Sequence, residues 1–454
     1  MSPALSNEQR AQLYTLFKKY AAAVCMDTHS DLPPANVPPM RIDTSNKSPV
    51  CQKARPIPVA AKQFAEDEIK AMLKAGFIVR VFDSAWASPV HIVPKRGSKK
   101  WRMCIDYRQV NELTVPFAGS VPYIDELICA VRGKAWLSTF DLASAYMQCP
   151  VAEEDQVKTT FVTHMGTFMY TRVPFGLRNA VQYYCACISQ VLRPVAVESE
   201  DALLDSYLDD VIVGAKTFER HCELIADFLA CCCANNCKIS LEKSFVGGAQ
   251  VSYLGYLVNQ HYCEADPDRL QGLRDMSHPT SIKTLRSFLG AINYFAPMLP
   301  GIRTITEPLQ ECLRGGITVT KKDGSQTTRP VFQWTKEMAF AFSEVKKMLW
   351  HHLVLYLPDP NVPFILYSDA SLVASGAALV QRDEHGDLQP VAFYSKTFKP
   401  AERNYSTQHR ELLAMLHALR RSRNLLLGGA HITAYTDHKA NKTILTTKTQ
   451  TDCS

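Results

Sequence analysis

Residues 203–215, LLDSYLDDVIVGA, constrain the fold more than any other stretch of the chain. Two apolar runs flank Asp209 and Asp210, a pattern that predicts two strands joined by a tight turn with the acidic pair at the turn. Adjacent carboxylates repel, and a bound cation relieves that cost. Magnesium takes such oxygen ligands and leaves positions open for phosphate. A DD pair at a hairpin is, on its own, ordinary turn chemistry. The upstream segment AWLSTFDLASAYMQ changes its weight. Asp141 ends an apolar run where a strand hands over to a helix, so its carboxylate can meet the hairpin pair in space. Asp141 and Asp209 would then bridge two magnesium ions about 4 Å apart, the spacing of two-metal phosphoryl transfer.

Composition narrows the setting. The 454 residues allow two to four domains, and 46% apolar with 21% charged residues excludes a mostly disordered chain. No apolar run approaches the roughly 18 residues of a membrane span, and the first 26 residues carry no secretory pattern. A soluble, intracellular, cytoplasmic protein is expected. The fifteen cysteines are then read as thiols of a reducing compartment rather than disulfides, those clustered at 231–237 as small buried thiols on a helix. The cluster Cys231, Cys232, Cys233 and Cys237 lacks the spacing of a zinc site. The net charge of +6 says little as a total. Its placement says more: Lys95, Arg96, Lys99, Lys100, Arg102 and Arg108 sit within 95–108, interleaved with Trp101 and Tyr107. A cationic hairpin with aromatics suits contact with phosphate and template.

Along the chain, residues 7–25 predict an amphipathic helix with Leu13, Leu16, Phe17 and Tyr20 on one side. The proline-rich stretch that follows reads as an extended connector rather than a core. A second helix is expected near 60–75 and strands between Ile78 and Val93. In 281–302, Leu285, Phe288, Leu289, Ile292 and Phe295 make a helix face. Residues 313–330 read as an exposed loop or hairpin, and 363–436 as strand, strand, helix, strand. This last stretch holds a second carboxylate set. PFILYSDAS ends a strand at Asp369, and TQHRELLAMLHALRR is a helix carrying Glu411, with Leu412, Met415, Leu416 and Leu419 as its apolar face. HITAYTDHKA ends a strand at Asp437. Three carboxylates so placed can converge on two metals for phosphodiester hydrolysis. Each alone is ordinary: Glu411 as a helix charge, the aspartates as caps.

Several motifs share one likeness. YLDD (207–210) resembles the signature of reverse transcriptases, FDLASAYMQ (140–148) their first catalytic motif, and VPFGLRNA (173–180) their template- and nucleotide-contacting segment. SAWASPVHIVPKRGSKKWRMCIDYRQVN (84–111) resembles their fingers, and YLGYLV (253–258) their primer grip. YSDAS, AFYSKTFKPAERNYSTQHRELLAMLHALR and AYTDHKA resemble the RNase H domain of the same elements. Taken in order, the chain resembles the polymerase and RNase H region of a gypsy-type LTR retrotransposon Pol polyprotein. It departs from the usual pattern at Ala145, at Val181 and at the run Tyr183-Tyr184-Cys185.

The resemblance implies an α/β (α+β) fold: a right-hand polymerase of fingers, palm and thumb, then a connection and a C-terminally incomplete RNase H-like domain. The implied division is a helix and proline-rich spacer at 1–60, fingers and palm at 61–260, a thumb and connection-like region at 261–335, and the RNase H-like domain at 336–454. The implied activity is RNA-directed DNA synthesis from dNTPs on a DNA primer and RNA template, with magnesium or manganese. Asp141, Asp209 and Asp210 look like the metal triad, with the Leu142 carbonyl completing it. Tyr146 resembles the steric gate under the sugar. Lys95 and Arg102 would grip the triphosphate, and Phe175 and Gly176 lie under the nascent base pair. Asp369, Glu411 and Asp437 would act on an RNA–DNA hybrid. Because 17 residues follow Asp437, without the family's fourth carboxylate motif, weak hydrolysis is expected. A virus-like particle is one implied setting. The alternative is a degenerate or co-opted copy that binds nucleic acid without catalysis.

Overall fold

The short apolar runs of WLSTFDL and DVIVGA suit strands inside a sheet, the second buried on both faces. The computed structural model, which describes residues 1–25, 32–94, 101–315, 317–320, 326–329, 331–351, 353–427 and 429–436, folds both segments into one sheet. The chain divides into two compact units, Met1–Tyr253 and Leu254–Ser454.

The first unit opens with the helices α1 (Asn7–Lys19) and α2 (Val59–Lys74). Its strands run β1 (Ile78–Val81), β2 (Ser88–Pro94), β3 (Trp101–Ile105), β4 (Trp136–Leu142), β5 (Phe161–Thr163), β6 (Gly166–Tyr170), β7 (Val197–Glu198), β8 (Ala202–Tyr207), β9 (Asp210–Ala215) and β10 (Ile239–Gly248). One sheet has the order β1-β6-β5-β2-β3 and a second the order β10-β4-β9-β8-β7. Helices Ala180–Leu192 and Phe218–Ala234 pack with the second sheet, and Phe140 of β4 meets Phe228 at 5.1 Å and Phe17 of α1 at 6.3 Å.

The proline-rich stretch corrects an expectation. It is extended, but it is not a free connector. Leu13, Phe17, Met40 and Ile42 are buried in the core of the second sheet. Met40 N–H donates to the Pro150 carbonyl and the Met40 carbonyl accepts from Ala152 N–H, both near 2.9 Å. Prolines hold the chain extended without spending N–H donors, so the few donors left form single bridges to neighbouring loops such as Pro150–Ala152. The Cys231–Cys237 thiols are free, and three of the four are buried, as expected of core cysteines.

Ser138 of β4 anchors an interior polar contact. Its hydroxyl lies 2.7 Å from Nε2 of fully buried His221 and accepts from Gly247 N–H at 3.0 Å. Burial holds the His221 imidazole down to about 4. The unfolded chain, with an ordinary histidine near 6.5, therefore binds the extra proton first as pH falls. Stability from this site is complete above the unfolded value and is lost as pH drops towards the folded one, by about 2 kcal/mol at pH 5. Urea midpoints at pH 7 and pH 5 should show that loss in the parent, and a His221→Leu variant should show a flatter profile over the same interval. Equal slopes would exclude His221 as the cause.

In the second unit, Tyr256–Asn259, Tyr262–Ala265 and Val354–Tyr356 pair antiparallel. Helix Ile282–Tyr294 buries Leu285, Phe288 and Ile292. Strands Ile317–Thr320 and Gln326–Arg329 form the hairpin expected within 313–330. The four-stranded sheet places Leu388–Thr397 at one edge, then Ala374–Arg382, Phe364–Ala370 and Ile432–Tyr435, the last pair parallel. Leu388–Thr397 is a third strand ahead of the helix, where two were expected. It carries Pro390, which an edge strand tolerates and which sits at a register shift against Val380. Among the described residues no helix is long and apolar enough to cross a membrane.

Candidate active site

The antiparallel register of β4 and β9 sets Asp141 directly opposite Asp210. Asp209 and Leu208 form the turn before β9. Leu208 takes a left-handed conformation, φ +55°, which an unbranched-at-Cβ side chain adopts at a cost of order 1–2 kcal/mol. The Asp209 carbonyl accepts from Leu142 N–H at 2.9 Å, tying the turn to the end of β4. All three predicted carboxylates and Leu142 thus come from one strand end and one turn.

Asp141 is mostly buried, and burial raises its carboxyl above the usual range, with Asp209 adding to the shift and Lys243 opposing it. The Lys243 ammonium stands 3.2 Å from Asp141 Oδ2. Ser244 Oγ accepts from Asp141 N–H at 3.3 Å. Lys243 arrives through an irregularity in β10, where pairing jumps from Ser240–Asp141 to Phe245–Thr139. Among the described residues, no three His, Cys, Asp or Glu side chains converge as a metal-binding group. The local chemistry nonetheless suits a hard cation: oxygen donors at opposed positions, and a positive charge already held on Asp141.

Aromatic and cationic groups adjoin this site. The Tyr146 ring lies 5.2 Å edge-on from Phe175 and 5.1 Å from Tyr184. Burial raises the Tyr146 phenol, and the Asp209 charge adds to the shift, which places the ring near the acidic turn. The Arg102 guanidinium sits over the Phe175 ring at 5.6 Å. Arg102, Phe175, Tyr146 and the carboxylates are therefore contiguous. Gly176 has φ +97°, and a Cβ there would meet nothing closer than 3.7 Å, so conformation rather than crowding demands glycine. Lys95 lies outside the described residues. Asn111 pins this segment: its Nδ2 donates to the Gly176 carbonyl at 2.8 Å and its Oδ1 accepts from Arg178 N–H at 2.8 Å.

In the second unit, Asp369 lies on strand Phe364–Ala370, and the next residue, Ala370, donates its N–H to Glu411 Oε1 at 3.0 Å. Glu411 is only 3% exposed. The expected apolar face of its helix holds in part: Met415 and Leu419 pack against the core beside Ala418, whereas Leu416 is exposed and Glu411 and Ala414 are buried. A carboxylate on the buried stripe next to a strand-end aspartate is not placed there for solubility. Tyr367 and Tyr435 pair in register and stack at 5.3 Å. Asp437 lies outside the described residues.

Comparison with known proteins matches both regions of the chain. Residues 93–258 match the family described as reverse transcriptase (RNA-dependent DNA polymerase), and residues 334–434 the RNase H-like domain found in reverse transcriptase. The retrovirus-related Pol polyprotein from transposon opus of Drosophila melanogaster is 32% identical over 88% of the chain, and that from transposon gypsy 33% identical over 88%. The chain belongs to the reverse transcriptase family. It spans about two fifths of these relatives' length, 39% and 38%.

This reverse transcriptase chain also shares its fold with solved structures. A foamy viral protease-reverse transcriptase in complex with dsDNA superposes with a TM-score of 0.80 at 24% identity, over 98% of this chain and 75% of that one. The same kind of protein in complex with an RNA/DNA hybrid gives 0.81 at 22%, over 99% and 58%. Lys243 and Asn111 are the site residues that sequence reasoning did not find. Asn111 could have been suspected as a polar residue closing the cationic stretch. Lys243 gave no signal, because its position depends on a strand irregularity.

Proposed function

We propose that this chain is the catalytic region of an RNA-directed DNA polymerase, adding dNTPs to a DNA primer 3′ end on an RNA template and releasing pyrophosphate. The observation that carries this reading is the pairing of Asp141 with Asp210 beside the Asp209 turn. Residues 61–260 would form fingers and palm, 261–335 the thumb and connection-like region, and 336–454 the RNase H-like domain.

Asp141, Asp209, Asp210 and the Leu142 carbonyl would hold magnesium, or manganese in its place. Held there, such an ion would supply Lewis-acid chemistry for primer activation and for the charge on the leaving group. The protein's own part is positional. Arg102, with Lys95, draws the triphosphate towards the turn, and Phe175 and Gly176 form the floor beneath the nascent base pair. Tyr146, braced by Phe175 and Tyr184, fills the space a ribose 2′-hydroxyl would need. Tyr146→Val should therefore reduce the dNTP-over-rNTP ratio of kcat/KM by roughly 100-fold, with dNTP turnover largely kept. Single-nucleotide incorporation kinetics measure it, and an unchanged ratio would remove Tyr146 from the gate.

The polymerase reading is tested by incubating the purified chain with an RNA template, a labelled DNA primer, dNTPs and magnesium or manganese. Extension supports it. Tight primer–template binding without extension in either metal would favour the non-catalytic copy.

Asp369, Glu411 and Asp437 would form a hydrolytic site for an RNA–DNA hybrid. A labelled-hybrid cleavage assay tests it: Glu411→Gln should cleave at least tenfold more slowly than the parent, and equal rates would remove Glu411 from the site.

A further inference from the structure

We propose that Lys243 is a positioning residue for the cation site: its ammonium holds the place of a divalent ion on Asp141 and withdraws when one binds. The inference rests on the reading of Asp141, Asp209 and Asp210 as metal ligands. Lys243 Nζ lies 3.2 Å from Asp141 Oδ2, with the lysine side chain 65% exposed and the aspartate side chain 16%. Asp141 stands opposite Asp210 in the β4–β9 register, beside the Asp209 turn. Carboxylates gathered this closely repel one another, and a cation on Asp141 relieves that repulsion before any metal arrives.

The backbone delivers that cation. Between the pairs Ser240–Asp141 and Phe245–Thr139, two steps along β4 are matched by five along β10. The extra residues arch outward, and Leu241, Glu242 and Lys243 are exposed. Ser244 closes the arch: its hydroxyl donates to the Ser240 carbonyl at 2.6 Å and accepts from Asp141 N–H at 3.3 Å. The arch is thereby tied to the residue that Lys243 pairs with. Irregularities of this kind beside functional sites re-aim a side chain that regular pairing would send elsewhere.

The residue type suits a contact made to be given up. A lysine ammonium is a compact, strongly hydrated point charge on a flexible stem, and here one Nζ–Oδ2 contact holds it. An ion pair this open to solvent adds little net stability, so its loss is easily tolerated. A divalent ion brings twice the charge and takes several oxygen ligands at once, which an ammonium cannot match. The two compete for the charge of Asp141. The fraction of molecules in which Lys243 holds that carboxylate therefore lowers the apparent affinity for the divalent ion in proportion.

The test titrates the purified full chain with manganese(II) and counts the free ion by electron paramagnetic resonance. The relevant site is the one that Asp209→Asn removes. Lys243→Met should bind manganese there about fourfold or more tightly than the parent. Lys216→Met, which removes a cation just past the other end of β9, should stay within about twofold of the parent, because charges so far apart are screened. An equal gain in both variants would make the effect one of total charge and overturn the proposal. The withdrawal itself is read by carbon-13 NMR of the chain with dimethylated lysines, a modification that keeps their charge. The resonance missing from Lys243→Arg should shift as magnesium fills the site. A resonance that stays in place at saturating magnesium overturns the proposal, whether or not the methionine variant folds. The two readings fail differently. If Asp209→Asn removes no manganese site, the metal assignment falls and Lys243 with it. If it removes one that Lys243→Met does not tighten, Lys243 alone is excluded.

Discussion

Asp209→Asn should abolish primer extension while leaving the fold and primer–template binding in place. Asp209 sits in the β8–β9 turn, and its structural contribution is a backbone one, the carbonyl that accepts from Leu142 N–H. Asparagine keeps that carbonyl and suits a tight turn. What is lost is one negative charge where a divalent cation must be held. A metal contributes several kcal/mol of transition-state stabilisation, and each 1.36 kcal/mol is tenfold in rate, so a loss of at least about 1,000-fold in kcat is expected. Steady-state extension with and without manganese reads it, and the thermal midpoint should stay within a degree or two of the parent. Extension that survives in Asp209→Asn would refute the metal assignment. Asp141→Asn is a poorer probe, because it also strips Lys243 of its partner and changes a mostly buried side chain. Loss of activity in that variant would mix chemistry with packing.

The acidic turn was legible in the sequence because strand period and turn chemistry act locally. Apolar runs on both sides of Asp209-Asp210 can bury only as paired strands, and Asp141 at the end of WLSTFDL then has one neighbour to meet. What escaped is what local pattern does not encode. Lys243 reaches Asp141 through an irregularity in β10, and nothing in LEKSF marks where pairing breaks. In helix Thr407–Arg421 hydropathy favoured Leu412, Met415, Leu416 and Leu419, and of these Met415 and Leu419 pack against the core while Leu416 is exposed. Ala414 and Ala418 are the more deeply buried, and their small size lets the helix approach the sheet and bring Glu411 to the Ala370 N–H. The edge strand Leu388–Thr397 was hidden by Pro390, whose missing donor costs nothing where no neighbour waits. Arg102 and Phe175 are 73 residues apart, and their cation–π contact follows from tertiary placement alone.

Deleting residues 1–45 should leave a first unit that does not fold, although none of those residues belongs to the catalytic set. The segment contributes Leu13, Phe17, Met40 and Ile42 to the core, each 8% exposed or less. At about 2 kcal/mol per large apolar side chain, their burial is worth of order 8 kcal/mol, comparable with the whole stability of a typical domain. The deletion also uncovers the partners of those side chains. Phe140 of β4, which also meets Phe228, loses its ring contact with Phe17. Backbone bridges are lost with them, from Ser2 N–H to the Val246 carbonyl, from Cys25 N–H to the Ile239 carbonyl, and on both sides of Met40. A loosely attached spacer would behave oppositely, since its removal would change neither the unfolding midpoint nor solubility. A milder version keeps the test readable when the deletion is insoluble: Phe17→Ala with Met40→Ala in the full chain should lower stability by about 5 kcal/mol or more by urea titration. Destabilisation under about 1 kcal/mol would mean that the sheet supporting Asp141 and Asp210 stands without the N-terminal strap.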